Sequence, residues 1–150
     1  MAAADGVNGM RRIVVGVDGS PSSLAALHWA HRQAELTGAS LVVVGAWGFP
    51  IYVAEPNASS MEIDLQAVVR RQLHTAIERT LPTRSGVPIS VVLRECSPAL
   101  ALLEESEGAE LLVLGRRGHD ELTEMLLGSV SMRCVARARC PVVVVHARVS

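Results

Sequence analysis

Gly115, Arg116, Arg117 and Gly118 are followed, after nine intervening residues, by Gly128 and Ser129, which gives the spacing Gly-x2-Gly-x9-Gly-Ser. The pattern begins where an apolar run, Glu110 to Leu114, stops. It ends where Val130 to Ala138 takes on a helical pattern. A strand that ends in glycine and leads to a helix N-terminus is suited to holding a phosphate. Glycine lets the backbone approach an anion closely, and the unpaired N–H groups of the helix start, with the helix dipole, supply positive potential. Ser129 reads as the N-cap of that helix, with a hydroxyl that can donate to a phosphate oxygen.

Other chemistries are excluded by what the chain lacks. All 14 basic residues are arginine and none is lysine. A P-loop needs its lysine on the β- and γ-phosphates, and Schiff-base chemistry needs a lysine amine. A phosphorylated receiver domain of similar architecture is disfavoured for the same reason. A net charge of −1 and only four aromatics (Trp29, Trp47, Phe49, Tyr52) provide neither attraction nor a stacking platform for nucleic acid. Cys96, Cys134 and Cys140 form no C-x-x-C pair and stand at no metal-ligand spacing from a histidine, so they read as inert thiols in a reducing compartment. His119 lies beside the glycines without a neighbouring nucleophile or metal partner and reads as a loop residue. His28, His31, His74 and His146 read as helix or edge residues.

The elements that must position these glycines alternate along the chain. Near-continuous apolar runs at 12–18, 40–47, 87–94, 110–114 and 141–146 read as strands buried on both faces, as in a parallel sheet. Ser20-Pro21 starts a helix that Gly38 closes, with Leu24, Leu27, Ala30, His31 and Ala34 on one face. Ser97-Pro98 repeats that start for a helix over Ala99 to Glu107, closed by Gly108. A third helix is expected from about Met61 to Leu81, with Leu65, Val68, Leu73, Ala76 and Ile77 at helical spacing. The pattern predicts one α/β domain over residues 11–150: a doubly wound, flavodoxin-like (Rossmann-like) five-stranded parallel sheet of order 3-2-1-4-5 with helices on both faces. In that order Asp18 and Gly115 face each other across the crevice between the first and fourth strands. Residues 48–60 read as a binding flap or disordered loop, and Met1 to Met10 as a disordered leader without signal-peptide character. No run reaches the ~20 apolar residues of a membrane span. The reading is a soluble, cytoplasmic protein with neither membrane nor nucleic acid as partner.

Taken together, Val-Gly-Val-Asp18-Gly-Ser, Val-Val-Gly-Ala-Trp47, Leu-Val-Leu-Gly-Arg-Arg-Gly118, Leu-Leu-Gly128-Ser-Val-Ser131 and Cys140-Pro-Val-Val-Val-Val, in this order, resemble the universal stress protein family over about Arg11 to Ala147. The complete glycine signature resembles the members that bind ATP. The resemblance implies that Asp18 accepts hydrogen bonds from the ribose and that the Gly16-Val17 backbone borders the nucleotide. It places the Ala46 backbone at adenine, and Gly115, Gly118, Gly128, Ser129, Val130 and Ser131 around the phosphates, with Mg²⁺ carried on them. The chemistry agrees, since a carboxylate suits a diol and helix-start amides suit phosphate. Asp18 has a second reading as a cap for the helix beginning near Ser20, and Arg116 and Arg117 read as solvated loop charges. The implied function is that of a nucleotide-dependent sensor or regulator in stress response. A slow ATP-hydrolysing enzyme using the same pocket, and a dimerisation module without nucleotide, stay open; no residue is assigned a catalytic role. A homodimer is expected through Val142 to Val145 as an outermost strand, together with a protein partner of unknown identity.

Overall fold

Strand β1 (Arg12–Gly16) enters the sheet first, and the chain then alternates through α1 (Pro21–Thr37), β2 (Ser40–Trp47), α2 (Leu65–Thr80), β3 (Ile89–Glu95), α3 (Pro98–Glu105), β4 (Leu111–Gly115), α4 (Ser129–Arg137) and β5 (Val142–Val145). The computed structural model describes residues 11–48, 64–116 and 127–147. The leader, Phe49 and Tyr52 with most of their loop, and Arg117, Gly118 and His119 lie outside the described residues.

The five strands are all parallel and stand in the order β3-β2-β1-β4-β5. This is the expected 3-2-1-4-5 arrangement. Val15 sits at the centre of the register, opposite Val43 on one side and Val113 on the other. Alternate strand residues feed two separate cores. Ile13, Val15 and Val43 pack with Leu27, Ala30 and Leu73 beneath α1 and α2. Val14, Leu112 and Leu114 pack with Ala101, Leu102 and Cys134 beneath α3 and α4. Each fully covered Val or Leu contributes about 1.5–3 kcal/mol, so a sheet buried on both faces needs the unbroken apolar runs of its sequence.

The helix ends follow their capping residues. Ser20 accepts from the Ser23 N–H at 3.3 Å and Pro21 takes the first helical position, while Gly38 closes α1 at φ 76°. Ser97 accepts from the Leu100 N–H at 3.4 Å, and α3 stops with Ser106 as its C-cap, short of the expected Glu107. Arg94 of β3 ties to that helix through Glu104 and Glu105. Helix α2 begins at Leu65, later than the expected Met61, because Asp64 caps it by accepting from the Ala67 N–H at 3.1 Å. The helical face expected there also shifts. Leu73 and Ala76 are buried, but Val68 is 42% exposed, and its neighbour Val69 is the residue that packs inward.

Candidate functional site

The crevice opens at the carboxyl ends of β1 and β4, where the sheet order reverses and open α/β sheets place their ligands. The cleft there has a volume of about 530 Å³, within the range of small-molecule sites. Its lining is of two kinds. Asp18, Gly19, Ser20, Ser23, Gly115 and Gly128 to Ser131 bring polar and backbone groups, and Val44 and Ala46 of β2, Val69 and Leu73 of α2, and Pro98, Ala101 and Leu102 of α3 bring apolar walls. The first set suits anions and hydroxyls, the second a flat apolar group.

Asp18 follows β1 with its backbone turned over by Gly19, whose φ of 86° favours glycine. Its Oδ1 accepts from the Ser20 N–H at 2.9 Å, and its own N–H donates to Ser23 Oγ at 3.3 Å. The capping role is therefore real: the carboxylate braces the turn into α1 and still lines the cleft. Val17, buried in the first core, ties β1 to β2 through its N–H to the Val44 carbonyl at 3.0 Å. Ala46 stands at the end of β2, in register with Arg94.

The two halves of the glycine pattern meet. The Gly128 N–H donates to the Arg116 carbonyl at 2.9 Å, and Ser131 Oγ donates to the Gly115 carbonyl at 2.7 Å. Ser131 is buried, so its hydroxyl fastens the start of α4 to the end of β4. Gly128, not Ser129, is the N-cap of α4, which corrects the sequence expectation. The Met132 N–H already closes onto the Gly128 carbonyl at 2.9 Å, so the helix starts one residue sooner and Ser129 becomes its exposed first residue. Gly128 has no side chain with which to cap the first turn. Among the described residues no side chain caps the N–H groups of Ser129, Val130 and Ser131, which stand at the positive end of the helix dipole.

Two glycines have a packing reason that spacing does not reveal. A Cβ on Gly115 would stand 2.6 Å from both the Ser22 carbonyl carbon and its Oγ, so this glycine lets α1 rest on β4. A Cβ on Gly16 would meet Leu102 Cδ1 at 2.9 Å. Gly118 lies outside the described residues. Arg116 turns its Nη1 toward His146 Nδ1 at 3.4 Å and does not line the cleft. Sequence reasoning missed Ser20, Ser23 and Gln72 as lining residues. The serines were legible only as a cap, and Gln72 was hidden as a surface position of an amphipathic helix. No cluster of His, Cys, Asp or Glu among the described residues is arranged to hold a metal ion, and no helix there is long and apolar enough to cross a membrane.

Fold and site together define a doubly wound α/β domain with an anion-ready crevice at its switch point. The chain matches the model of the universal stress protein family over residues 9–146. A universal stress protein of Mycolicibacterium smegmatis is 35% identical over 141 residues, covering 89% of this chain and 47% of that protein. One from Thermus aquaticus is 33% identical over 142 residues, covering 91% of this chain and 98% of its own length. A solved universal stress protein in complex with cAMP superposes at a TM-score of 0.65 with 27% identity, over 93% of this chain and 98% of the other. The chain belongs to the universal stress protein family. It spans about half the length of the mycobacterial relatives it matches.

Proposed function

We propose that this chain binds an adenine nucleotide in the crevice, ATP with Mg²⁺ on its phosphates, and acts through the bound state as a regulator in the cytoplasmic stress response. The observation that carries this reading is the start of α4. Three first-turn N–H groups without a capping side chain belong to residues that line the same cleft as Asp18, and β2, α2 and α3 give that cleft apolar walls. In this reading the phosphates lie on Ser129 to Ser131 beside Gly115, Gly118 and Gly128. The ribose lies on Asp18 near Gly16 and Val17, and the base on Ala46 between α2 and α3. The similar protein solved with cAMP supports an adenine nucleotide and favours, as a second reading, a nucleotide with a single phosphate. Hydrolysis would be a further step for which no side chain is assigned.

Thermal unfolding tests the reading. A ligand present at 100 times its dissociation constant stabilises by about 2.7 kcal/mol, which for a domain of this size raises Tm by roughly 5–11 °C. Mg-ATP should give that shift, and cAMP should exceed it if the second reading holds. Unchanged Tm with both nucleotides at millimolar concentration overturns the proposal. Retention of phosphate-free protein partners but no small molecule after purification would point instead to an interaction module.

A further inference from the structure

We propose that Gln72 is the residue that selects adenine, pairing through its carboxamide with the N6/N7 edge of the base; this rests on the adenine-nucleotide reading above. The apolar wall of the cleft is built from β2, α2 and α3, and Gln72 is the one polar side chain those elements bring to it among the described residues. No hydrogen bond to its carboxamide is formed among the described residues, so the group is available to a ligand.

The helix that carries it packs closely on the strand. A Cβ on Gly45 would come within 2.7 Å of Leu73 Cδ1 and 3.2 Å of Val69 Cγ1, so α2 lies directly against β2 there. Gln72, beside Leu73 and three residues from Val69, is carried on that helix to the cleft, which it lines together with Ala46, where the proposed function places the base. Asp18 and the start of α4 contact groups shared by every nucleotide and cannot tell one base from another. Beside the Ala46 backbone, Gln72 is the side chain on the β2, α2 and α3 walls that can both donate and accept.

The chemistry of the pairing is selective. A carboxamide presents one acceptor and one donor side by side. The N6/N7 edge of adenine presents a donor and an acceptor, and the two sets are complementary, whereas guanine presents acceptors at both O6 and N7. The carboxamide oxygen would then face a lone pair, and one of the two hydrogen bonds would be lost.

A double-mutant cycle between protein and ligand tests this. Calorimetry would compare the wild-type chain and Gln72→Leu, each with ATP and with 7-deaza-ATP, which lacks the N7 acceptor. The wild type should lose about 5–10-fold in affinity on going to 7-deaza-ATP, the size of one hydrogen bond. Gln72→Leu should lose a similar factor for ATP and then bind both ligands equally. It should also narrow the preference for ATP over GTP. Leucine is close in size and suits a helix, so the far-UV dichroism and the Tm without ligand should stay as in the wild type. Losses that multiply independently, or ATP affinity unchanged in Gln72→Leu, would overturn the assignment while leaving nucleotide binding standing. No binding of any adenine nucleotide by the wild type would overturn both.

Discussion

At the residue scale, the glycines of one motif divide by what a side chain would strike. At Gly115 an added methyl would collide with the backbone of Ser22, and backbone cannot swing aside. Gly115→Ala should therefore cost about 1–3 kcal/mol by overpacking, seen as a lower urea midpoint. Gly128 is the N-cap at φ −65°, a conformation open to any residue, so no backbone strain calls for glycine there. Under the proposed function Gly128→Val should lose nucleotide affinity, while its stability falls by about 1 kcal/mol because valine is a poor N-cap. Nucleotide affinity kept by Gly128→Val would refute this division. His31 gives a second case. It is 2% exposed, yet its Nε2 lies 2.6 Å from Ser85 Oγ and its Nδ1 lies 3.4 Å from Glu35 Oε1. A polar ring in the core is tolerated because the loop before β3 and the next turn of α1 both meet it. Ser85→Ala strands the Nε2 atom and should destabilise by about 1–3 kcal/mol. A change below a few tenths of a kcal/mol would mean that water replaces the hydroxyl.

At the element scale, α4 links the site to the second core through Cys134. The thiol has no solvent exposure, and burial, reinforced by the charge of Cys140, pushes its pKa up from 9.0 to about 11. The sign follows from which state ionises first. Between pH 9 and 11 the unfolded thiol gives up its proton while the folded one keeps it. Stability from this group is complete below pH 9 and falls as pH rises toward 11, by ~2–3 kcal/mol. Cys134→Ala should flatten the slope of stability against pH in that window, measured by denaturant melts at several pH values. A slope unchanged by the substitution would assign the effect to other groups. The elements themselves were legible in the sequence, because strands buried on both faces need unbroken apolar runs and the serine-proline pairs mark helix starts by local chemistry. The start of α4 differs from the sequence expectation by one residue: Ser129 has the better capping side chain, but the Met132 N–H closes onto the Gly128 carbonyl, and that bond sets where the helix begins. The apolar wall of the cleft was legible only at Ala46 and, as a buried helix position, Leu73. Val69 and Leu73 become neighbours of Gly45 only through the packing of α2 on β2, which no local pattern encodes.

At the scale of the whole molecule, the sheet ends at β5, whose four valines are only partly covered. The pairing with β4 shows which backbone groups remain at the edge. The Pro141 carbonyl accepts from Leu112 and the Val145 carbonyl from Arg116, so the odd-numbered residues bond inward. Val142 and Val144 present their N–H and C=O groups outward. An apolar edge with no further strand among the described residues is a template for another strand. We infer that a second copy of the chain supplies it, β5 against β5 about a two-fold axis, which pairs the outward groups of both copies at once. The obvious disruptive changes, lysine at Val143 and Val145, would confuse the result, because both side chains pack against the core beneath α1 and α2. Val144 belongs to neither core. Val144→Pro removes an outward donor at an edge position, where proline is tolerated, and Val144→Lys charges the edge without removing the donor. Sedimentation at micromolar concentration should show a dimer for the wild type and folded monomers for both variants, with far-UV dichroism unchanged. A wild-type chain that is monomeric at high micromolar concentration, or dimers that survive both substitutions, would place the contact elsewhere or remove it.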